Sequence, residues 1–111
     1  MDYIKRKIKH ILFFIKNGYS IRELWSLDYT LAEYILPRLI QFKENNNMSY
    51  PCAFKDSEEW HKVIDEMIWS FDFIVNDRDL ECKGGKDIIK SYKKVQKGLN
   101  LFGKHFMHLW D

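Results

Sequence analysis

The sequence predicts an all-α fold, a compact bundle of four to five helices with a proline-kinked helix near residue 37 and a long C-terminal amphipathic helix. Three observations lead there. Apolar residues recur at steps of three and four in every long segment. No stretch alternates every second residue between turn signals, as a half-buried strand does. Serine, aspartate and glycine stand where helices of this length start and stop. A chain of 111 residues is one domain by size, spanning 1–111 with a single core.

The first helix starts after Asp2, which can cap free amides, and stops at Asn17-Gly18, where glycine accepts the left-handed conformation. Ile4, Ile8, Ile11 and Ile15 form its seam, widened by Leu12, Phe13 and Phe14. Ser20 with Glu23 is a capping box, so a helix is expected from Ile21 to Asn45, with Leu24, Leu27, Leu31, Ile35, Leu39 and Phe42 on one side. Pro37 removes the amide that would bond the Glu33 carbonyl, and a kink or break near residues 33–37 is expected. Asn45 through Pro51 reads as a loop. Asp56 with Glu59 caps a helix carrying Trp60, Val63, Ile64, Met67, Ile68, Phe71 and Ile74 or Val75, ending near Asn76. Residues 77–85 form a mobile connection closing with Gly84-Gly85. The last helix carries the seam Ile88, Tyr92, Val95, Leu99, Phe102, Phe106 and Leu109. Gly98 within it is expected to admit the close approach of another helix backbone.

The charged share of 31% excludes a membrane-embedded chain, and no apolar run approaches bilayer length. Ile11 to Ile15 is too short for a signal-peptide core, so residence in the cytoplasm is the expectation. Eighteen Phe, Tyr and Trp residues exceed what so small a core encloses, which leaves aromatic surface for a cleft or an interface. The net charge of +2 conceals a division: +5 over residues 1–22, −7 over 23–77 and +4 over 78–111. The simplest consequence is internal complementarity, the terminal helices lying against the central acidic one; nucleic-acid binding is not favoured. Cys52 and Cys82 belong to no metal spacing and read as free thiols.

Chemistry-bearing patterns are few. Glu58 and His61 form one Glu-x-x-His pair, with Asp65 a turn further on, whereas di-iron bundles use that pair twice. The run Glu58-Glu59 and Asp65-Glu66 lacks the second acidic pair that an α-helical nucleotide hydrolase needs to hold magnesium. No phosphate-cradling glycine loop or nucleophile elbow occurs. No catalytic residue, metal or cofactor is therefore assigned. Arg38, after the kink proline and among Ile35, Leu36, Leu39 and Phe42, is expected to be held partly out of water, paired with Asp28, Glu33 or the acidic helix, or else gripping an anionic ligand. Trp25, Tyr34 and Trp60 are the aromatic walls expected around such a ligand. Lys86, Lys90, Lys93, Lys97 and Lys104 form a basic stripe on the outer face of the last helix, with Lys97 a candidate contact. The first helix, with Lys5, Arg6, Lys7 and Lys9 beside its isoleucines, has the composition of a membrane-surface helix, but the core needs the same residues, so no membrane partner is expected.

The strings Leu24-Trp25-Ser26-Leu27-Asp28, Ile35-Leu36-Pro37-Arg38-Leu39, Glu58-Glu59-Trp60, Gly98-Leu99-Asn100-Leu101-Phe102 and Leu109-Trp110 resemble, in this order, a group of small bacteriophage proteins of unassigned function. The similarity covers residues 20–111 and leaves residues 1–18 as a variable N-terminal helix. It implies a non-enzymatic viral accessory protein that antagonises host antiviral defence by sequestering an anionic nucleotide-like signal or by occupying a host protein. A self-assembling structural or packaging component is the alternative, and a small metal-dependent nucleotide hydrolase the third. Two long seams and surplus aromatics make a homo-oligomer the expectation under all three.

Overall fold

Every regular element is helical among residues 2–45 and 50–110, which the computed structural model describes. The α-helices are α1 (Asp2–Asn17), α2 (Leu27–Asn45), α3 (Ser57–Val75) and α4 (Gly85–Lys104), with 3-10 turns at Ile21–Leu24, Arg78–Glu81 and Phe106–His108. The chain divides into two units, Met1–Leu31 and Ala32–Asp111. Most of the loop expected between Asn45 and Pro51 lies outside the described residues.

In the first unit, α1 ends as its sequence indicates. Gly18 takes φ +80° and its amide donates to the Phe14 carbonyl at 2.7 Å, closing the last turn. Ser20 and Glu23 form the expected capping box, the Ser20 amide donating to Glu23 Oε2 at 2.9 Å. The helix it opens is short. The amides of Glu23 and Trp25 donate three residues back, to Ser20 and Arg22, each at 3.1 Å. That tighter winding closes after one turn, and α2 begins anew with Thr30 N–H donating to Ser26 at 2.9 Å. The single helix expected from Ile21 is thus two elements. No residue of α1 is buried, so its seam does not serve as core.

The second unit holds the core. Ala32 and Leu39 of α2 join Trp60, Ile64, Met67 and Phe71 of α3, with Leu99, Phe102 and Leu109 packed against them. Pro37 lies inside α2, which continues to Asn45. Both Pro37 and Glu33 face solvent, so water can satisfy the carbonyl that the proline strands, and the helix need not end there. Asp56 caps α3 by accepting from Glu59 N–H at 2.8 Å. Residues 77–85 carry structure of their own: Arg78 bridges Asp72 of α3 and Glu81 of its own turn, and Lys83 N–H donates to Asp87 at 2.9 Å in the first turn of α4.

Helix α4 meets α3 at Gly98. The glycine is buried, and the Ser70 hydroxyl lies 2.9 Å from the Val95 carbonyl of α4 and 3.2 Å from the Glu66 carbonyl of its own helix. A Cβ at residue 98 would overlap that hydroxyl and stand 2.5 Å from the Glu66 carbonyl oxygen. The expected backbone approach is therefore present, but α4 turns a slightly different face inward than its apolar seam indicates. Gly98 and His105 are buried, with Val95 and Phe102 half-buried on the same side, while Tyr92 and Phe106 stay more than half exposed. The helix also stops at Lys104, and Phe106–His108 is a separate 3-10 turn.

Substituting alanine at Gly98 and at Gly103 of α4 should act in opposite directions. Gly98→Ala is expected to destabilise by about 2 kcal/mol or more, since overpacking costs about 1–3 kcal/mol and a backbone oxygen cannot move aside. Gly103, with nothing within 4 Å of its added Cβ, should gain up to about 1 kcal/mol on Gly103→Ala. Urea denaturation of both variants reads the signs.

Candidate functional site

Within the second unit Arg38 lies against Tyr34, while Trp60 and Lys97 each have other partners. Arg38 is exposed. It lies at the border of the apolar face of α2, one turn from Tyr34, where its guanidinium carbon stands 3.6 Å from the Tyr34 ring centroid and its Nη1 donates to the Tyr34 carbonyl at 2.8 Å. The expected burial is absent, as is an ion pair with Asp28 or Glu33 among the described residues. Its donors go instead to a carbonyl in the turn that Pro37 disturbs. Trp60 is only 1% exposed, packed against both Phe54 and His105 with ring centroids at 5.1 and 5.6 Å. It forms part of the wall of a cleft of about 390 Å³ with Tyr50, Cys52, His108 and Trp110. Lys97 pairs with Glu66 of α3 at 3.1 Å and straps the two helices together from outside. Trp25, 66% exposed, belongs to the first unit.

Around Trp25 the first unit assembles a different site. Tyr3, Arg6, Lys7 and His10 stand at positions i, i+3, i+4 and i+7 and share one face of α1. The chain reverses at Gly18, and the 3-10 turn brings Arg22 and Trp25 beside them, enclosing a cavity of about 440 Å³ lined by these six side chains. A second cavity of about 300 Å³ shares Lys7, His10 and Arg22 and continues along α1 past Ile11, Phe14 and Ser20. The indole of Trp25 meets the His10 ring edge-on at 5.9 Å. Arg22 stands 6.0 Å from the Trp25 ring centroid, and Lys7 6.0 Å from that of Tyr3.

The groove is built for negative charge. None of its lining residues is acidic. The neighbouring carboxylate, Glu23, is occupied by the Ser20 amide. Among the described residues no carboxylate pairs with Arg6, Lys7 or Arg22. Three fixed cations and two aromatic faces in a shallow depression suit a flat ring joined to phosphate or carboxylate groups. The cleft at Trp60 is different in kind, lined by rings and backbone with no lysine, arginine, aspartate or glutamate.

Sequence reasoning found Trp25 but not Tyr3, Arg6, Lys7, His10 and Arg22 as a set. The spacing of the first four was legible; their junction with Arg22 required the path of the chain after Gly18. No group of three or more His, Cys, Asp or Glu side chains gathers among the described residues. Both cysteines are free thiols. The chain matches no family model, no curated protein and no solved structure.

His105 adds a titratable group at the other cleft. It is 5% exposed, packed on Phe54 and Trp60, with its Nδ1 3.2 Å from the Nδ1 of His108. Burial first, then the charges of His108 and Lys104, hold its pKa below the ordinary imidazole value. The Nδ1 contact also needs one neutral ring, because one nitrogen must accept. The unfolded chain binds this proton more readily, so the contribution is complete above the ordinary value near pH 6.5 and is lost as pH falls below it. Thermal denaturation between neutral and mildly acidic pH should show the melting temperature falling with acidification, and His105→Phe should flatten that slope.

Proposed function

We propose that this chain is a non-catalytic binding protein whose first unit captures an anionic, nucleotide-like molecule. The observation that carries the reading is the groove of Arg6, Lys7, His10 and Arg22 closed by the rings of Tyr3 and Trp25 with no acid in its lining. A base or similar flat ring stacks on Trp25, and Arg22 and Arg6 take the phosphates with charge-assisted hydrogen bonds. Lys7 and His10 lie on the same helix face and extend the positive field along the second cavity.

The resemblance to small bacteriophage proteins supplies the setting: an accessory protein in an infected bacterium, antagonising host defence by sequestering a nucleotide signal. Sequestration needs grip and no turnover, which agrees with a site made of cations and rings.

Isothermal titration with a panel of adenosine triphosphate, cyclic dinucleotides and the neutral nucleoside adenosine tests the proposal. Binding is expected for phosphate-bearing members, absent for adenosine, and weaker as salt rises. Arg22→Ala and Trp25→Ala should each weaken binding on the order of tenfold or more. Arg38→Ala, whose side chain is spent on Tyr34, should leave it unchanged. Affinity indifferent to Arg22→Ala and Trp25→Ala together would reject the site.

A further inference from the structure

The isoleucine stripe of α1 is left uncovered. Ile4, Ile8, Ile11 and Ile15 are 49%, 51%, 51% and 73% exposed, and Leu12 and Phe14 60% and 54%. A helix turns about 100° per residue, so these six side chains share about 160° of its circumference. Lys7 falls within this arc, between Phe14 and Ile11, while Lys5 and Lys16 border it beyond Leu12 and Lys9 and Arg6 lie behind it. The stripe is centred about 120° from the groove formed by Tyr3, Arg6, Lys7 and His10, and the two adjoin at Ile11 and Phe14, which also line the smaller cavity.

We propose that α1 docks in the plane of an anionic phospholipid surface. Its isoleucines enter the boundary of the acyl chains while Lys5, Lys9 and Lys16 extend their stems outward and set their ammonium groups against headgroup phosphates. Charge selects the occupant: residues 1–22 carry six Lys and Arg against the single acid Asp2, the balance an anionic surface attracts. A second copy fits less well. The isoleucines span about two heptads, short of the three or four a coiled coil needs, and an apolar face this wide exceeds a two-stranded seam. Close pairing of two such helices would also crowd lysines against lysines. No helix among the described residues is long and apolar enough to cross a membrane, so α1 lies along the surface.

Co-sedimentation of the full chain with vesicles tests this, comparing phosphatidylcholine alone with equal parts of phosphatidylcholine and phosphatidylglycerol. The protein is expected to partition onto the mixed vesicles, to leave them as salt is raised, and to ignore the neutral ones. Ile8→Asp with Ile15→Asp should reduce partitioning on the order of tenfold or more. Lys9→Glu with Lys16→Glu, which spares the apolar face, should reduce it as well, and circular dichroism establishes that each variant is folded. Arg22→Ala should retain vesicle binding, so failure of this inference is distinguishable from failure of the nucleotide site. The inference is overturned if folded protein ignores anionic vesicles, binds neutral ones equally, or binds undiminished in both double variants. It is also overturned if the isoleucines drive self-association in sedimentation velocity without any affinity for lipid.

Discussion

The second unit depends on one point of backbone contact, where the absence of a side chain at Gly98 lets α4 come down on Ser70 of α3. A serine hydroxyl enclosed between helices is costly unless bonded. Here it has carbonyls of both helices within reach, so the polar group that close packing buries also ties the two backbones together. The fit leaves no room for adjustment, because a larger group at either position meets main chain and cannot be relieved by a change of rotamer.

That contact fixes the rotation of α4 about its own axis. With Gly98 and Val95 against Ser70, Phe102 lands edge-on against Phe71 at 5.0 Å, and His105 arrives beside Trp60 and Phe54. The buried histidine then meets His108 in the turn that follows, which positions the wall of the Trp60 cleft. A short polar contact in mid-helix thus governs the placement of aromatic groups two turns away.

Charge is used differently in the two units. In the second, acids of α3 are matched by bases from its neighbours: Asp65 by Lys43, Glu66 by Lys97, Asp72 by Arg78. Arg78 and Lys97 supply the C-terminal part of the complementarity that the charge blocks indicated, whereas Lys43 comes from the acidic block itself; exposed pairs of this kind contribute no more than about 1 kcal/mol each. In the first unit the basic side chains around Trp25 face a groove without acids, and their charge is available to a ligand. The proposed groove and the proposed lipid face both draw on that surplus. The two meet along one edge of α1, where Ile11 and Phe14 of the apolar stripe also line the smaller cavity beside Lys7 and His10.

Legible in the linear chain were the helical class, the capping of α3 by Asp56, the turn at Gly18, the core stripe Trp60, Ile64, Met67 and Phe71, and the close approach at Gly98. Each of these is written in local spacing or in the conformational needs of one residue, which a linear reading can resolve. Arg38 was misjudged because its apolar neighbours in sequence suggest burial, whereas its side chain is satisfied one turn away by a carbonyl and a ring. The burial of His105 is not legible in the sequence, because a histidine offset by one position from an apolar seam looks solvated until the rotation of the helix is known. The tertiary structure alone decided that rotation, the separation of the Ile21–Leu24 turn from α2, and the meeting of Arg22 and Trp25 with α1. These arise from contacts between residues distant in the chain, where a shift of a fraction of a turn moves a side chain from water to core or from an empty surface into a groove.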